Sequence, residues 1–122
     1  MSEAHPPITE QILGAALKVH NTLGNGFLEM VYENALAHEL RKVGFSVLQQ
    51  HPIPVHYDGI VVGDYIADLM VEGKVIIELK TARGLSDEHT DICINYLHAC
   101  HLPVCRLLNF GTKRLQIKVL VG

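Results

Sequence analysis

What this sequence lacks narrows it first. It has no basic excess: 10 Lys and Arg stand against 13 Asp and Glu, for a formal net charge of −3. A protein that grips nucleic acid nonspecifically carries a clear surplus of cations, so any such contact here is expected to be local. Lys80 with Arg83, or Lys113, Arg114 and Lys118, are the places for it. It also lacks an even set of cysteines. Cys93, Cys100 and Cys105 are an odd number without an export signal, which argues against a disulfide framework and for reduced thiols in or near the core. No apolar run approaches the roughly 20 residues of a membrane span. The opening MSEAHPPITE has no positively charged start followed by an apolar stretch, so it does not read as a secretion signal. The expectation is a cytoplasmic protein with no membrane association.

What is present is ordinary for a soluble globular chain: 48% hydrophobic and 19% charged residues over 122 positions. Repeats, low-complexity tracts and dividing linkers are missing, so residues 1–122 read as a single domain, with 1–7 a short leading arm marked by His5, Pro6 and Pro7. From Ile8 to Leu23 apolar residues recur at helical spacing, with Thr9 as a cap near the start and Gly24-Asn25-Gly26 as the stop. A second helix is predicted over about 27–43, with Leu28, Val31, Ala35, Leu36 and Leu40 on its apolar side and Gly44 ending it. The pattern then changes to short β-branched runs broken by Pro, Asp-Gly and Gly, which predicts strands near 46–57, 61–71 and 75–81. Ser86 followed by Asp87 and Glu88 is an N-cap with acids in the first turn. It opens a third helix, about 87–101, with His89, Ile92, Cys93, Tyr96 and Cys100 on one face, and two strands follow near 104–110 and 114–121. The order ααβββαββ describes an α/β protein with a mixed sheet flanked by helices.

The informative stretch runs from Tyr65 to Lys80. If Glu72, Gly73 and Lys74 form a three-residue hairpin loop, Val71 pairs with Val75 and Asp68 falls opposite Glu78. Strand alternation then points Glu78 and Lys80 the same way and Leu79 the other, giving a D…ExK cluster beside Ile66, Met70 and Ile76. Facing carboxylates among aliphatic side chains repel and are poorly hydrated, so at neutral pH they need a proton, a cation or both. Hard Mg²⁺ or Mn²⁺ suits such oxygen donors, and Lys80 beside the ion is a point charge able to hold a phosphate oxygen or a water. The alternative is a Glu78–Lys80 salt bridge on the solvated face of an edge strand. A two-residue loop would put Asp68 on the other face from Glu78.

Asp68 followed by Glu78-Leu79-Lys80 resembles the signature of the PD-(D/E)xK superfamily of restriction endonucleases and repair nucleases. More narrowly, Gly26-Phe27-Leu28-Glu29-Met30-Val31-Tyr32 is similar to the motif of the GxxExxY family of small prokaryotic proteins placed in that superfamily. The similarity extends from about Ile8 to Val121 and takes in Val19-His20, Tyr32-Glu33-Asn34-Ala35-Leu36, Asn95-Tyr96-Leu97 and Leu108-Asn109-Phe110-Gly111. It implies a restriction-endonuclease-like core and a Mg²⁺- or Mn²⁺-dependent nuclease. Asp68 and Glu78 would hold the metal with the Leu79 backbone carbonyl, Lys80 would support the attacking water, and Glu29 would complete or extend the site from a helix. Without the resemblance, Glu29 reads as a first-turn acid favoured by the helix dipole.

The sequence departs from that pattern at two positions. Relatives often carry Gln in a His-x-x-Gln pattern starting at the position of His89, where this chain has Ile92, and many carry a basic residue at the position of Ile66. Neither change removes a metal ligand, and both remove a polar group able to orient water or phosphate. DNA is the substrate the resemblance implies, with RNA also admitted. The alternative is a nuclease-fold module that binds nucleic acid or a protein partner with little or no catalysis, and a groove completed by a homo-oligomer or a partner subunit is a third reading. His20, Tyr32, His89 and Tyr96 are candidates for the margin of the site. For His20 and His89 a hydrogen-bonded semi-buried histidine is the preferred reading, and Tyr57, Tyr65 and Tyr96 read as base-stacking or as core and rim residues. His98, Cys100 and His101 lie close together but lack zinc-ligand spacing.

Overall fold

A computed structural model describes residues 7–122, so His5 and Pro6 of the expected leading arm lie outside the described residues. Helix α1 spans Ile8–Leu23 and α2 Glu29–Lys42. Strands β1 (Val47–Tyr57), β2 (Ile60–Val71) and β3 (Val75–Lys80) follow, then α3 (Asp87–Cys100), β4 (Val104–Asn109) and β5 (Gln116–Val121). The sheet runs β1-β2-β3-β4-β5 with β3 central. Only the β3–β4 pair is parallel, and α3 makes the crossover that parallel neighbours require. The element order and mixed sheet agree with the sequence reading.

The two sheet faces close separate cores. One joins Ile12, Ala16 and Val19 of α1 and Tyr32, Leu36 and Leu40 of α2 to Leu69, Ile77, Leu79 and Phe110. The other joins Cys93, Tyr96 and Leu97 of α3 to Ile53, Ala67, Ile76, Cys105 and Leu107. β3 is buried from Val75 to Leu79 because both faces are covered, as a near-continuous apolar run demands. All three cysteines are free, Cys93 and Cys105 buried and Cys100 half-buried. Among the described residues no helix is long and apolar enough to cross a membrane.

Several local expectations are corrected. Pro7 occupies the N-cap of α1 and supplies no side-chain bond, while Thr9 lies inside the helix rather than capping it. α2 begins at Glu29 because Phe27 is held in the preceding loop: its amide donates to the Tyr32 hydroxyl at 3.1 Å, and that hydroxyl donates to the Gly24 carbonyl at 2.6 Å. Gly26 sits at φ 121°, a conformation that favours glycine. The buried face of α2 is therefore Tyr32, Glu33, Leu36, Ala37 and Leu40, and Leu28, expected inside, is 81% exposed. α3 buries Cys93, Tyr96 and Leu97, leaving Ile92 and Cys100 half-buried. The final strand starts at Gln116 rather than near 114.

Candidate active site

The β2–β3 hairpin sets the geometry. Glu72 and Gly73 take φ of 56° and 65°, and the Lys74 amide donates to the Val71 carbonyl at 3.0 Å, which closes the three-residue loop. Val71 pairs with Val75 and Leu69 with Ile77, so the count places Asp68 against Glu78. There the backbone ladder ends. The Asp68 amide donates to Glu78 Oε1 at 2.8 Å and the Leu79 amide donates to Asp68 Oδ2 at 2.8 Å. Two carboxylates thus replace the carbonyl acceptors of a sheet, and β2 departs from β3 at this point.

On its other side β2 is irregular at the same level. The β1–β2 pairing skips from Gln49–Leu69 to His51–Ala67, with Gln50 at φ 53°. The Gln50 amide group donates to Glu33 Oε1 at 2.6 Å and, more weakly, to Asp68 Oδ1 at 3.4 Å. Gln49 donates to Glu33 Oε2 at 2.8 Å. The buried Glu33 of α2 is thereby tied to the acidic pair through one glutamine. Gln50, Glu33 and the buried Asn109 are the polar residues of this region that the sequence reading did not assign to the site. A lone Gln in a strand carries no signal of its own.

Electrostatics single out the carboxyls. Glu78 is 4% exposed, and burial, then the Asp68 charge, pushes its carboxyl up to about 9, against the Asp68 amide bond and the Lys80 charge that oppose the shift. Burial also pushes Asp68 up, opposed by the Leu79 amide, Gln50 and Lys80. Their mutual repulsion falls on the more deeply buried Glu78. Glu29, exposed at the start of α2, is pushed up by desolvation and by Asp68, while Lys80 and a hydrogen bond from the Thr81 backbone act the other way. Asp68, Glu78, Lys80 and Glu29 therefore share one electrostatic neighbourhood. The edge-strand salt bridge is excluded, since β3 is central and no ion pair joins Glu78 to Lys80 among the described residues.

This donor set fits a hard divalent ion. Among the described residues Arg106 Nε is the only buried side-chain polar atom without a hydrogen-bond partner, so Glu78 Oε2, which takes no hydrogen bond, reaches accessible space. Mg²⁺ is commonly bound through one or two carboxylates plus water and phosphate, which matches an acidic pair with an open oxygen. No group of three or more His, Cys, Asp or Glu side chains gathers as a metal set among the described residues. That includes His98, Cys100 and His101.

The margin residues have other engagements. His20 Nε2 lies 2.9 Å from the Thr112 carbonyl and its ring packs on Phe110, tying α1 to the β4–β5 loop. Tyr32 stacks on Phe110 with ring centroids 4.8 Å apart and holds the loop before Glu29. His89 completes a capping box with Ser86, its Nδ1 accepting from the Ser86 amide at 3.2 Å. Tyr96 lies closest to the acids: its hydroxyl donates to the Ile66 carbonyl at 3.2 Å, and burial with the Glu78 and Asp68 charges pushes its phenol up. Ile66, expected to wall the carboxylates, is exposed, whereas Met70 and Ile76 are buried.

A mixed five-stranded sheet covered on both faces, with an acidic pair where its central hairpin splits, defines a restriction-endonuclease-like α/β protein. The chain belongs to the PD-(D/E)XK nuclease superfamily, whose family model matches residues 6–120. No curated protein and no solved structure matches it.

Proposed function

We propose that this chain, as one domain over residues 1–122, is a Mg²⁺- or Mn²⁺-dependent nuclease of the GxxExxY branch that hydrolyses DNA phosphodiester bonds. The observation that carries the reading is the Asp68–Glu78 clasp. The buried Glu78 carboxyl and the half-buried Asp68 carboxyl are held by each other's strands, both are pushed up, and Glu78 Oε2 takes no hydrogen bond among the described residues. Asp68, Glu78 and the Leu79 carbonyl would hold the ion, and Glu29 would extend the set from α2. A bound divalent ion supplies water activation and neutralises charge on the phosphate. Lys80 places its ammonium beside the attacked phosphate or the water, where developing negative charge is stabilised in a poorly hydrated pocket. The Gln50–Glu33 network sets the rotamer of Asp68 from behind.

The test is cleavage of plasmid and single-stranded DNA with Mg²⁺ or Mn²⁺, wild type against Lys80→Ala. Loss of at least about 100-fold in rate is expected, in line with removal of a transition-state electrostatic group. Equal rates in the two proteins would remove Lys80 from the reaction. A second reading, a nucleic-acid or protein-binding module of the same fold, is favoured by half-buried Ile92 on α3 and by a carboxylate set that stops short of three gathered side chains. It predicts metal binding without cleavage.

A further inference from the structure

β1 and β2 outrun the rest of the sheet, since β3 pairs with β2 only over Leu69–Val71. Between this arm and α3 lies a groove of about 360 Å³ whose lining includes Val55, His56, Tyr65, Asn95, His98 and His101. Among the described residues no Lys, Arg, Asp or Glu contributes to it. The lining therefore does not select a ligand by formal charge. Tyr65 is 46% exposed and offers a ring face. The side chains of His56, Asn95, His98 and His101 make no hydrogen bond within the described residues, so their donors and acceptors are free for a ligand. A ring face with imidazole and amide groups around it matches a flat heteroaromatic molecule with polar edges.

The groove is linked to the acidic pair through Tyr96. Tyr65 packs against Tyr96 with ring centroids 5.5 Å apart, and Tyr96 bonds the Ile66 carbonyl and feels the charges of Glu78 and Asp68. Along β2, Tyr65 precedes Asp68 by a rise of about 10 Å. A chain of net charge −3 also lacks the cationic surplus that holds a duplex by its phosphates, so stacking is the larger available source of affinity.

We propose that this groove is a base-binding subsite, which takes an unpaired nucleobase beside the scissile phosphate, stacked on Tyr65 and hydrogen-bonded at its edge by Asn95 and the flanking histidines. The inference rests on the nucleic-acid substrate of the proposed function and narrows it to strands with unpaired bases, because a paired base has its edge occupied and its faces stacked.

The experiment titrates the full chain against a single-stranded oligodeoxynucleotide carrying 2-aminopurine, and against the same strand in a blunt duplex, in chelator and with Mg²⁺. Wild type is expected to quench the probe and to favour the single strand by about 10-fold. Tyr65→Leu should weaken that binding by about 10-fold and abolish the quench, in the range that a lost base–aromatic stack produces. Tyr65→Phe should retain both, and Asn95→Ala should lose a few fold. Tyr65 and Asn95 are exposed, and unchanged circular dichroism confirms that the variants fold. No binding by wild type, a preference for duplex, or unchanged binding by Tyr65→Leu overturns the subsite. Binding and quenching without cleavage under any divalent ion would uphold the subsite and overturn hydrolysis. Cleavage by wild type with Tyr65→Leu unaltered in binding and rate would do the reverse.

Discussion

Two polar centres flank the end of β3, and they are built on opposite principles. Around Asn109 every demand is met: its Oδ1 accepts from the Ala82 and Gly111 amides at 2.9 and 3.0 Å, and its Nδ2 donates to the Ala82 carbonyl and Gln116 Oε1 at 3.0 and 2.9 Å. A neutral amide thereby pins the loop after Lys80 to the β4–β5 turn. Gly111 seals the contact, since a Cβ there would lie 2.5 Å from the Thr81 backbone. Around Asp68 and Glu78 the demands are not met: burial pushes both carboxyls up, the Asp68 charge adds to the shift of Glu78, and Lys80 is a partial counterweight to both. A satisfied network gives rigidity, whereas an acidic pair left short of positive charge costs stability and prepares a place for a cation. The first centre holds the second in place.

Breaking the satisfied centre should have the largest effect. Asn109→Leu removes a fully buried amide and leaves the Ala82 and Gly111 amides and the Ala82 carbonyl without their partner, and is expected to destabilise the fold by about 3 kcal/mol or more, read from urea denaturation. A loss below about 1 kcal/mol would show that water takes over these bonds.

Relieving the unsatisfied centre should act with the opposite sign. Glu78→Gln retains an acceptor for the Asp68 amide and removes the group that must take up a proton on folding, so in chelator at pH 8 it is expected to stabilise the protein by roughly 2 kcal/mol. The sign follows from linkage. Folding raises the Glu78 carboxyl from 4.5 to about 9, so between those values the native state binds more protons than the unfolded chain, and unfolding free energy falls with rising pH. Stability is complete below 4.5 and is lost as pH rises through about 9, a decline that Glu78→Gln should flatten. Asp68→Asn should stabilise by about 1 kcal/mol in chelator, and Mg²⁺ or Mn²⁺ should reverse the order because wild type gains more from the ion. Thermal melts across pH, with chelator and with metal, test both halves. Flat profiles without metal dependence would reduce the pair to structural acceptors.

A smaller effect should come from the loop that presents Glu29. Tyr32→Phe keeps the stack on Phe110 but releases the Gly24 carbonyl and Phe27 amide, with an expected loss of about 1 kcal/mol and faster hydrogen exchange at Phe27. Slow exchange in the variant would mean that Gly26 and the helix start hold the loop unaided. The smallest belongs to the surface pair of Lys18 and Glu39, 3.0 Å apart on α1 and α2. Lys18→Ala should leave the melting midpoint unchanged, because exposed charges are screened and their side chains resist ordering.

Much of this was legible in the residues before any coordinates. Helical spacing over Ile8–Leu23, the switch to β-branched runs after Phe45, and Ser86 as a cap each report a local preference that the backbone obeys. Glu72-Gly73-Lys74 between Val71 and Val75 offered the register in which Asp68 meets Glu78, with a two-residue loop as the alternative, and the fold takes the three-residue one; the choice matters because strand pairing counts in single residues. Tertiary structure alone decided that the Asp68–Glu78 pair sits at a split rather than inside a ladder, and that β3 is a central strand and not an edge. It alone recruited Gln50 and Glu33, turned α2 so that Leu28 faces out, and gave His20 to the β4–β5 loop. Those outcomes depend on which distant surfaces compete for the same side chain. Spacing along the chain carries no information about a competitor 17 residues away, as Gln50 is from Glu33, or 92 away, as Thr112 is from His20.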